Sequence, residues 1–502
     1  MIRAYAVPAV RKAEAAALAE LDEGELMSRA ASGLAAVASA RLGGPGGRRV
    51  VAMVGAGNNG GDALYALASL ARDGAAAVVL TVAGSVHEGG LQAAREAGAL
   101  VLDAVEGQAD SASAVSSTLR EADLVIDGIV GIGGHPGLSP RIEALLAEVS
   151  DSAYVLAVDL PSGTDPDGEV PTQSCVFADE TVTFIAAKPV HLLPASEPAV
   201  GRLTVVDIGV RIGGAAAVER VTAGDVAWLW PRPGPADDKY SRGVLGIVAG
   251  GEEYTGAALL AVTSAVCSGA GMVRYVGPPT PTMLVRSQVP EAVIGQGQVQ
   301  AWLIGPGVDA ADESADGRAQ RSAAQSALDS GLPCVVDAGA LDLVVEPRSA
   351  PTLLTPHAGE LATMLSRLEA SQVAVGRSTV AGAPLAHARR LADLTNSTVM
   401  LKGATTLVVS PDSADSAGLA VRSQADAPAW LATAGSGDVL AGLAGTLLAS
   451  GLTPLDAGSL AALVHGLAAD AANPGGPVRA SEVAQAIPGV VATLLVRRDT
   501  RS

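Results

Sequence analysis

The chain has 502 residues, of which 49% are hydrophobic, so it holds enough apolar material for more than one buried core. Its 52 acidic residues outnumber its 33 basic residues and give a net charge of −19, which disfavours a protein that coats nucleic acid. The three cysteines, at positions 175, 267 and 334, match no metal or disulfide spacing, and a reduced, cytoplasmic protein is therefore expected.

No membrane segment is predicted. The charged residues Arg3, Arg11 and Lys12 leave no apolar core of the kind that a signal peptide needs. The longest uncharged run, 254–273, contains three glycines and several hydroxyl residues, which favours a buried helix over a membrane span. We therefore expect a protein that does not associate with a membrane.

Short β-branched runs alternate with alanine- and leucine-rich stretches, a pattern typical of parallel sheets covered by helices on both faces. The first forty residues are predicted to be helical, with an apolar stripe of Leu18, Leu21, Met27, Leu34 and Val37. The predicted strands are 50–54, 77–82, 124–126, 154–158, 180–184, 245–248, 299–304, 334–336, 398–401 and 407–409. Weak secondary-structure signals over 208–221 indicate a boundary between two domains. The predicted fold class is α/β, with two three-layer αβα domains at 1–212 and 220–502.

A glycine-rich loop, 55–63, follows the first of these strands and precedes an apolar helix. Its Gly55, Gly57 and Gly60 fit the dinucleotide-binding pattern, but the next predicted strand lacks the acidic residue that holds the ribose in NAD-dependent dehydrogenases. The backbone amides at the start of the helix suit a phosphate or pyrophosphate. The alternative is a tight strand–helix turn that binds nothing.

Two later strands each end in an aspartate, Asp127 and Asp159, before a loop that contains glycine. Because the carboxyl ends of parallel strands lie along one edge of a sheet, these residues are expected to approach Asn59 and Ser162. Such oxygen ligands with little positive charge nearby suit K⁺, Na⁺ or Mg²⁺. Either aspartate taken alone is explained as well by a role in forming a turn.

The motifs Asn58-Asn-Gly-Gly-Asp62 and Asp159-Leu-Pro-Ser-Gly163, after a helix with Glu14 and Leu26-Met27, resemble the NAD(P)H-hydrate epimerase domain over residues 1–210. Ala63 replaces a family glycine, and 133–136 is an unusual form of the second loop. The resemblance implies K⁺ at Asn59, Asp127 and Ser162. It implies a nicotinamide-nucleotide site at Asn58, Asn59, Gly60, Gly61, Asp62, Gly131, Ile132, Gly133, Gly134, His135, Pro136, Gly137 and Asp159.

The chemistry of that substrate assigns a role to Asp159. The ring nitrogen can expel the C6 hydroxyl, and an acid/base group then assists its departure and its return on the opposite face. Asp159 is the expected group. Lys188, one of four lysines in the chain, is expected to be solvated, and a role in positioning a phosphate is the alternative.

In the second half, Gly435-Ser-Gly-Asp438 precedes an apolar helix. Its first amides suit the charge on a transferred phosphoryl group, and Asp438 can accept the proton of an attacking hydroxyl. The alternative is a helix capped by Ser436, with Asp438 stabilising the helix dipole. Lys402-Gly-Ala-Thr-Thr406 suits nucleotide phosphates. His357 could contact a substrate, although a structural histidine is more common.

These motifs, with Gly250-Gly251, Gly256-Ala257 and Thr355-Pro-His357, resemble the ribokinase-like NAD(P)H-hydrate dehydratases over residues 222–490. The whole chain resembles the bifunctional NAD(P)H-hydrate repair enzymes. Ser241-Arg242 departs from a family His-Lys pair. The resemblance implies that the hydrate contacts Ala257, Gly307, His357 and Asp438. It implies that the adenine nucleotide is held by Lys402, Gly403, Ala404, Thr405, Thr406 and Gly437.

The resemblance implies a reaction that consumes ADP with Mg²⁺. Asp438 would deprotonate the C6 hydroxyl of the S hydrate as that hydroxyl attacks the terminal phosphoryl group. The ester would then eliminate, giving NAD(P)H, AMP and phosphate. The alternatives are a small-alcohol kinase of the same fold and a nucleotide-sensing module without catalysis. The expected partners are NADHX, NADPHX and ADP, and a homo-oligomer stays open.

Overall fold

A computed structural model divides the chain into two compact units. The first comprises Arg3–Val218, and the second takes the chain from Glu219 onward together with Met1 and Ile2. The structure describes residues 1–105, 109–369, 375–412 and 421–496. Within these ranges, no helix combines the length and the apolar composition that crossing a membrane requires.

The first unit is built on a sheet of seven parallel strands. After the short strand β1 (Ile2–Ala4), these strands are β2 (Arg49–Val54), β3 (Ala76–Thr81), β4 (Leu100–Asp103), β5 (Leu124–Gly128), β6 (Tyr154–Val158), β7 (Glu180–Phe184) and β8 (Arg202–Val206). The helices are α1 (Val7–Leu18), α2 (Glu25–Leu42), α3 (Asn58–Arg72), α4 (Glu88–Glu96), α5 (Ala109–Arg120), α6 (Pro140–Leu146) and α7 (Glu197–Val200). The order across the sheet is β4-β3-β2-β5-β6-β7-β8.

The two faces of this sheet are covered by helices, as the alternation along β2 illustrates. Val50, Ala52 and Val54 pack into a cluster with α2 and α3 on one face, and Val51 and Met53 pack with α5 on the other. Side chains alternate across a strand, so a continuous apolar run buries both faces of the sheet. The predicted three-layer α/β architecture is confirmed for this unit.

The second unit contains a larger sheet. Its strands are β9 (Val218–Arg220), β10 (Val244–Val248), β11 (Met272–Val276), β12 (Val293–Ile294), β13 (Ala301–Ile304), β14 (Cys334–Val336), β15 (Thr352–Leu354), β16 (Thr398–Leu401), β17 (Thr406–Val409) and β18 (Val421–Gln424). They follow the order β9-β18-β17-β16-β15-β14-β13-β10-β11-β12. The helices are α8 (Ala223–Leu229), α9 (Thr255–Cys267), α10 (Pro279–Gln288), α11 (Ala315–Asp329), α12 (Ala358–Leu368), α13 (Arg377–Gly382), α14 (Pro384–Thr395), α15 (Ser436–Ala449), α16 (Pro454–Ala472) and α17 (Ala480–Val496).

Two expectations about these elements are wrong. The sheet of the second unit is not wholly parallel, because β17 runs antiparallel to both β16 and β18. The loop between β16 and β17 is too short for the crossover that parallel neighbours need. The N-terminal region forms two helices, because the chain turns between them at Gly24 with a φ of 80°. Leu18, which ends α1, is therefore 57% exposed and does not lie on a buried stripe.

Helix α15 lies in the core of the second unit and carries Asp438 at its first turn. All its residues from Val439 to Ala449 are buried. A Cβ at Gly442 would clash with the carbonyl oxygen of Ala261, so this glycine permits the close packing of α15 on α9. Tight packing of the helix body fixes the position of its N-terminus.

Candidate active sites

A cavity of 650 Å³ opens at the carboxyl ends of β2, β5 and β6 in the first unit. It is lined by the first glycine-rich loop, by the start of α3 and by the loop after β5. The charged side chains that line it are Arg11, Glu14, Asp62 and Asp159. Ligands bind at this edge of open α/β sheets, so the cavity is the candidate site of this unit.

Only part of the predicted set lines this cavity. Asn58, Asn59, Asp62, Asp159 and Gly131–Gly133 do so, whereas Gly60, Gly61 and residues 134–137 do not. A Cβ at Gly60 would clash with the carbonyl oxygen of Gly55, and one at Gly61 would press on Met27 and His87. These two glycines therefore serve the packing of the loop and of α3, whereas Gly57, Asn58 and Asn59 at the helix start line the cavity.

Asp159 is held by a buried lysine. Its Oδ1 accepts hydrogen bonds from Lys188 Nζ at 2.5 Å and from Thr183 Oγ1 at 2.9 Å. Lys188 is 1% exposed, so the expectation that it is solvated is wrong. The physical reason is that Lys188 follows a wholly buried strand, β7, and so begins inside the unit. Asp159 itself has a φ of 67°, the left-handed conformation that only a few residues other than glycine adopt.

His191 braces this ion pair. Its Nδ1 accepts a hydrogen bond from the backbone N–H of Lys188 at 2.9 Å, and its Nε2 donates to the carbonyl oxygen of Asp159 at 2.7 Å. Burial, and then the charge of Lys188, lowers the pKa of His191 to about 4. The ring is therefore neutral and connects the two residues through their backbones. The sequence singled out Asp159 and Lys188 but not this histidine.

The carboxyl groups of the cavity differ in the direction in which their pKa values are shifted. Burial alone would raise the pKa of Asp159, but the charge and hydrogen bond of Lys188 outweigh it and hold that pKa below its ordinary value. Burial, and then the charges of Asp159 and Glu14, raise the pKa of Asp62 well above its ordinary value. Burial and the charge of Asp159 also raise the pKa of Glu14. The site thus places a carboxylate whose pKa is lowered beside two carboxyl groups whose pKa values are raised.

Of the predicted K⁺ ligands, Asp127 and Ser162 lie together. Asp127 accepts hydrogen bonds from Ser162 Oγ at 2.6 Å and from Ser162 N at 2.8 Å. Asn59 instead donates to the carbonyl oxygen of Val158 at 2.6 Å and lies against Gly131, where a Cβ would clash with its amide. Burial raises the pKa of Asp127 to about 6, and no lysine or arginine in the described residues pairs with it. A buried carboxylate without a cationic partner, near hydroxyl and amide oxygens, fits a monovalent cation.

In the second unit, the candidate site lies where α15 begins. Gly435 precedes the helix with a φ of 85°, and no side chain caps the helix there, so the interpretation of Ser436 as a cap is wrong. Burial, and then the charge of Asp337, raises the pKa of Asp438 to about 6, although Lys402 acts in the opposite direction. The pKa of Asp438 therefore lies closer to neutral pH than that of an ordinary aspartate.

Lys402, after β16, is paired with a residue that sequence reasoning missed. Its Nζ lies 2.7 Å from Oδ1 of Asp337, which also accepts a hydrogen bond of 2.7 Å from Thr355 Oγ1. A Cβ at Gly437 would lie 3.6 Å from Lys402 Nζ, so the ammonium group lies beside the start of α15. Asp337 directly follows β14, the same position at a strand end that singled out Asp127 and Asp159.

The remaining predicted residues form two groups. Ala257 and Gly307 are in contact, since a Cβ at Gly307 would lie 2.7 Å from that of Ala257. His357 caps α12, and its Nδ1 accepts from the backbone N–H groups of Gly359 at 3.0 Å and Glu360 at 3.1 Å. These hydrogen bonds serve the structure of the helix start. The side chain of His357 is nevertheless exposed. Its backbone forms a bridge with that of Lys402, so the two residues are neighbours.

The loop after β16 presents its small residues outward. Gly403 and Ala404 are exposed, whereas Thr405 and Thr406 are buried. Thr406 Oγ1 donates a hydrogen bond of 3.3 Å to the carbonyl oxygen of Gly403. The two threonines therefore shape the loop, and its exposed backbone faces the solvent.

Comparisons with known proteins match each unit separately. Residues 23–190 match the family described as YjeF-related protein N-terminus, and residues 245–488 match the family described as NAD(P)H-hydrate dehydratase. A bifunctional NAD(P)H-hydrate repair enzyme of Mycobacterium leprae is 41% identical to the chain, over 94% of both proteins. An NAD(P)H-hydrate epimerase of Clavibacter sepedonicus is 42% identical, over 43% of this chain and 94% of its own. A crystal structure of the ADP/ATP-dependent NAD(P)H-hydrate dehydratase of Bacillus subtilis aligns at 24% identity with a TM-score of 0.47, over 55% of this chain and 99% of that one.

Proposed function

The chain belongs to the family of bifunctional NAD(P)H-hydrate repair enzymes, and on that premise we propose how its two units divide the work. The protein is an enzyme with an isomerase unit and a lyase unit. The first epimerises R- and S-NAD(P)HX, and the second dehydrates the S form to NAD(P)H with ADP as the co-substrate. The observation that carries this division is that each family match falls on a unit with its own carboxyl group at the carboxyl edge of its own sheet.

In the first unit, the amides at the start of α3 bind the pyrophosphate of the hydrated dinucleotide, as helix N-termini bind anions. The nicotinamide ring lies against Asp159, whose carboxylate is kept ionised by Lys188. The lone pair of the ring nitrogen expels the C6 hydroxyl, and water returns on the opposite face. Asn59, Asp127 and Ser162 would hold K⁺, which supplies a fixed positive charge beside the buried carboxylate of Asp127.

In the second unit, Asp438 accepts the proton of the C6 hydroxyl as that oxygen attacks the terminal phosphoryl group of ADP. A carboxylate with a pKa of about 6 is ionised at neutral pH and still a useful base. Lys402 and the amides near Gly437 bind the phosphates, and Mg²⁺ bound with the nucleotide would supply further positive charge there. The bond between the terminal phosphoryl group and AMP breaks, and AMP is the leaving group. The ester then loses phosphate and the proton at C5, which restores the reduced ring.

One assay tests both activities. A mixture of R and S hydrates of NADH is incubated with the full chain, K⁺, Mg²⁺ and either ADP or ATP, while the absorbance of the reduced nicotinamide is followed. We expect both epimers to be converted, with AMP and phosphate as products when ADP is supplied. Conversion of the S form alone would contradict the epimerase assignment. A stable phosphate ester without recovered NADH would instead identify a small-alcohol kinase.

A further inference from the structure

Two aspartates with opposite surroundings line the cavity of the first unit. Asp159 has Lys188 and Thr183 on its carboxylate. Asp62, in the second turn of α3, is only 8% exposed, and its carboxyl group has no hydrogen bond or ion pair among the residues that the structure describes. Epimerisation at C6 makes two demands, because hydroxide must leave from one face of the ring and water must return to the other.

We propose that Asp62 is the catalytic acid of the epimerase site and that it protonates the departing C6 hydroxyl, while the carboxylate of Asp159 receives a proton from the returning water. The inference rests on the epimerase function proposed above and adds a named proton donor to it. The family resemblance implies that Asp62 contacts the substrate but gives it no role in proton transfer.

The charges around Asp62 favour its protonated form. Glu14 on α1 and Asp159 at the end of β6 both face it, and their negative charges oppose a third. Lys188 is engaged by Asp159, and Arg11 donates a hydrogen bond to the carbonyl oxygen of Ile132 at 3.0 Å. The ring of His87 lies next to Gly61. It caps the start of α4, where its Nδ1 accepts a hydrogen bond from the backbone N–H of Gly90. Burial and nearby negative charge, without a cationic partner, raise the pKa of a carboxyl group and so favour its protonated form.

Glu14 is the alternative donor, and the structure favours Asp62 over it. Glu14 is less buried, and both Lys188 and Arg11 oppose the rise in its pKa. Asp62 experiences only influences that raise its pKa: burial and two carboxylates. Two carboxyl groups whose surroundings drive their proton affinities apart are the usual arrangement of an acid and a base in one site.

The proposed step balances in protons and electrons. The C6–O bond breaks as the nitrogen lone pair forms the N1=C6 double bond, and the proton of Asp62 converts the leaving hydroxide into water. Water then adds to the opposite face, its oxygen bonds to C6, and the double-bond pair returns to N1. Its surplus proton passes to Asp159. A proton transfer from Asp159 to Asp62 through the water of the cavity restores the starting state.

The experiment measures exchange between R and S hydrates in the full chain without adenine nucleotide, so that dehydration cannot consume them. We expect Asp62→Asn to lower the exchange rate about 10²- to 10³-fold, within the range of general acid catalysis, and to change the KM of the hydrate about threefold or less. Asp73→Asn, directly after the exposed C-terminal end of the same helix, makes the same substitution away from the cavity and leaves the rate unchanged. Nucleotide-dependent dehydration of pure S hydrate by each variant shows that the second unit is intact.

The pH profile separates a catalytic from a structural role. Because the acid must carry its proton, the wild-type exchange rate should fall on the alkaline side, and the residual rate of Asp62→Asn should lack that fall. If Asp62→Asn does not fold, Asp62→Glu takes its place and should retain a fall at a shifted pH. An unchanged rate in Asp62→Asn, or loss of the alkaline fall in Glu14→Gln instead, would overturn the inference. A wild-type chain without any exchange would overturn the epimerase function itself.

Discussion

Each unit contains a lysine–aspartate pair at the carboxyl edge of its sheet, but the two pairs involve different aspartates. In the first unit Lys188 binds Asp159, the residue that lines the cavity. In the second, Lys402 binds Asp337, and among the described residues no lysine forms an ion pair with Asp438. One chain thus uses the same two residue types to prepare carboxyl groups in different ways.

The difference teaches which physical effect decides the protonation state. Burial on its own would raise the pKa of both Asp159 and Asp438. Only the direct ion pair with Lys188 reverses that effect, because charge and hydrogen bond act together at short distance. In the second unit Lys402 offsets the rise only in part. The first site therefore holds a carboxyl group whose pKa is lowered, and the second holds one whose pKa is raised to about 6.

The largest expected effect tests the unpaired aspartate. Asp438→Asn removes the base but keeps the shape of the side chain, and we expect dehydration to fall about 10³-fold, since general bases contribute roughly 10²–10⁴-fold. The initial rate of NADH recovery from pure S hydrate measures this loss. Exchange of R and S hydrates by the first unit serves as an internal control and should not change. A dehydration rate within threefold of wild type would show that another group is the base.

Removing the lysine of the first unit tests the buried pair. Lys188→Met leaves Asp159 buried without its partner, which should destabilise this unit by about 3–5 kcal/mol. Because the pair lowers the pKa of Asp159, its contribution is present above the ordinary aspartate pKa and is lost as the pH falls through the lowered value. The stability difference from wild type should therefore narrow as the pH falls from neutral and become smallest below about pH 4.

Hydrogen exchange of peptides from each unit measures this effect and provides its control. Protection in β6 and β7 should fall in Lys188→Met, whereas protection in α15 should stay as in the wild type. Equal loss of protection in both units, or none in the first, would contradict the proposed role of the pair.

A smaller effect is expected at the pair of the second unit. Asp337→Asn removes the charge that helps to raise the pKa of Asp438, and it frees Lys402 to approach that carboxylate. The acidic limb of the dehydration profile, expected at about pH 6, should move to lower pH by about one unit or less. The KM of ADP should rise, because Lys402 loses the contact that positions it. A limb that moves to higher pH would contradict this account.

The smallest expected effect concerns K⁺. Replacing K⁺ by Li⁺ should lower the unfolding temperature of the first unit by a few degrees, because a ligand at about ten times its Kd stabilises by roughly 1.4 kcal/mol. Asp127→Asn should abolish the dependence on K⁺, and the second unit should not respond to the ion. The same response in Asp127→Asn as in the wild type would place the ion elsewhere.

The sequence predicted the positions of the candidate site residues better than the contacts that shift their pKa values. The predicted strand 154–158 is a continuous apolar run and the predicted strand 180–184 is rich in β-branched residues, and the structure has both with the same bounds. Because parallel strands end at one edge, Asp127 and Ser162 could be placed together from the sequence alone, and they are hydrogen-bonded. The hydrophobic pattern therefore predicts the layers of the fold, and the parallel arrangement of the strands predicts where their loops lie.

The partners of the charged groups depend on contacts between distant positions, and no local pattern encodes them. Lys188 and Asp159 are 29 residues apart, and Lys402 and Asp337 are 65 apart. Asp337 was within reach of sequence reasoning, since it follows a predicted strand as Asp127 does. The antiparallel hairpin of β16 and β17 was also readable from the short loop between two predicted strands.

The backbone of Asp159 has a consequence for protein engineering. Its left-handed conformation costs of the order of 1 kcal/mol or more, and glycine would relieve that cost. An apolar side chain in place of the buried ammonium group of Lys188 would similarly remove a desolvation penalty. A directed-evolution campaign that selected only for heat resistance would therefore favour the double replacement Asp159→Gly with Lys188→Met. Such a campaign would enrich proteins with higher thermal stability that have lost the epimerase activity.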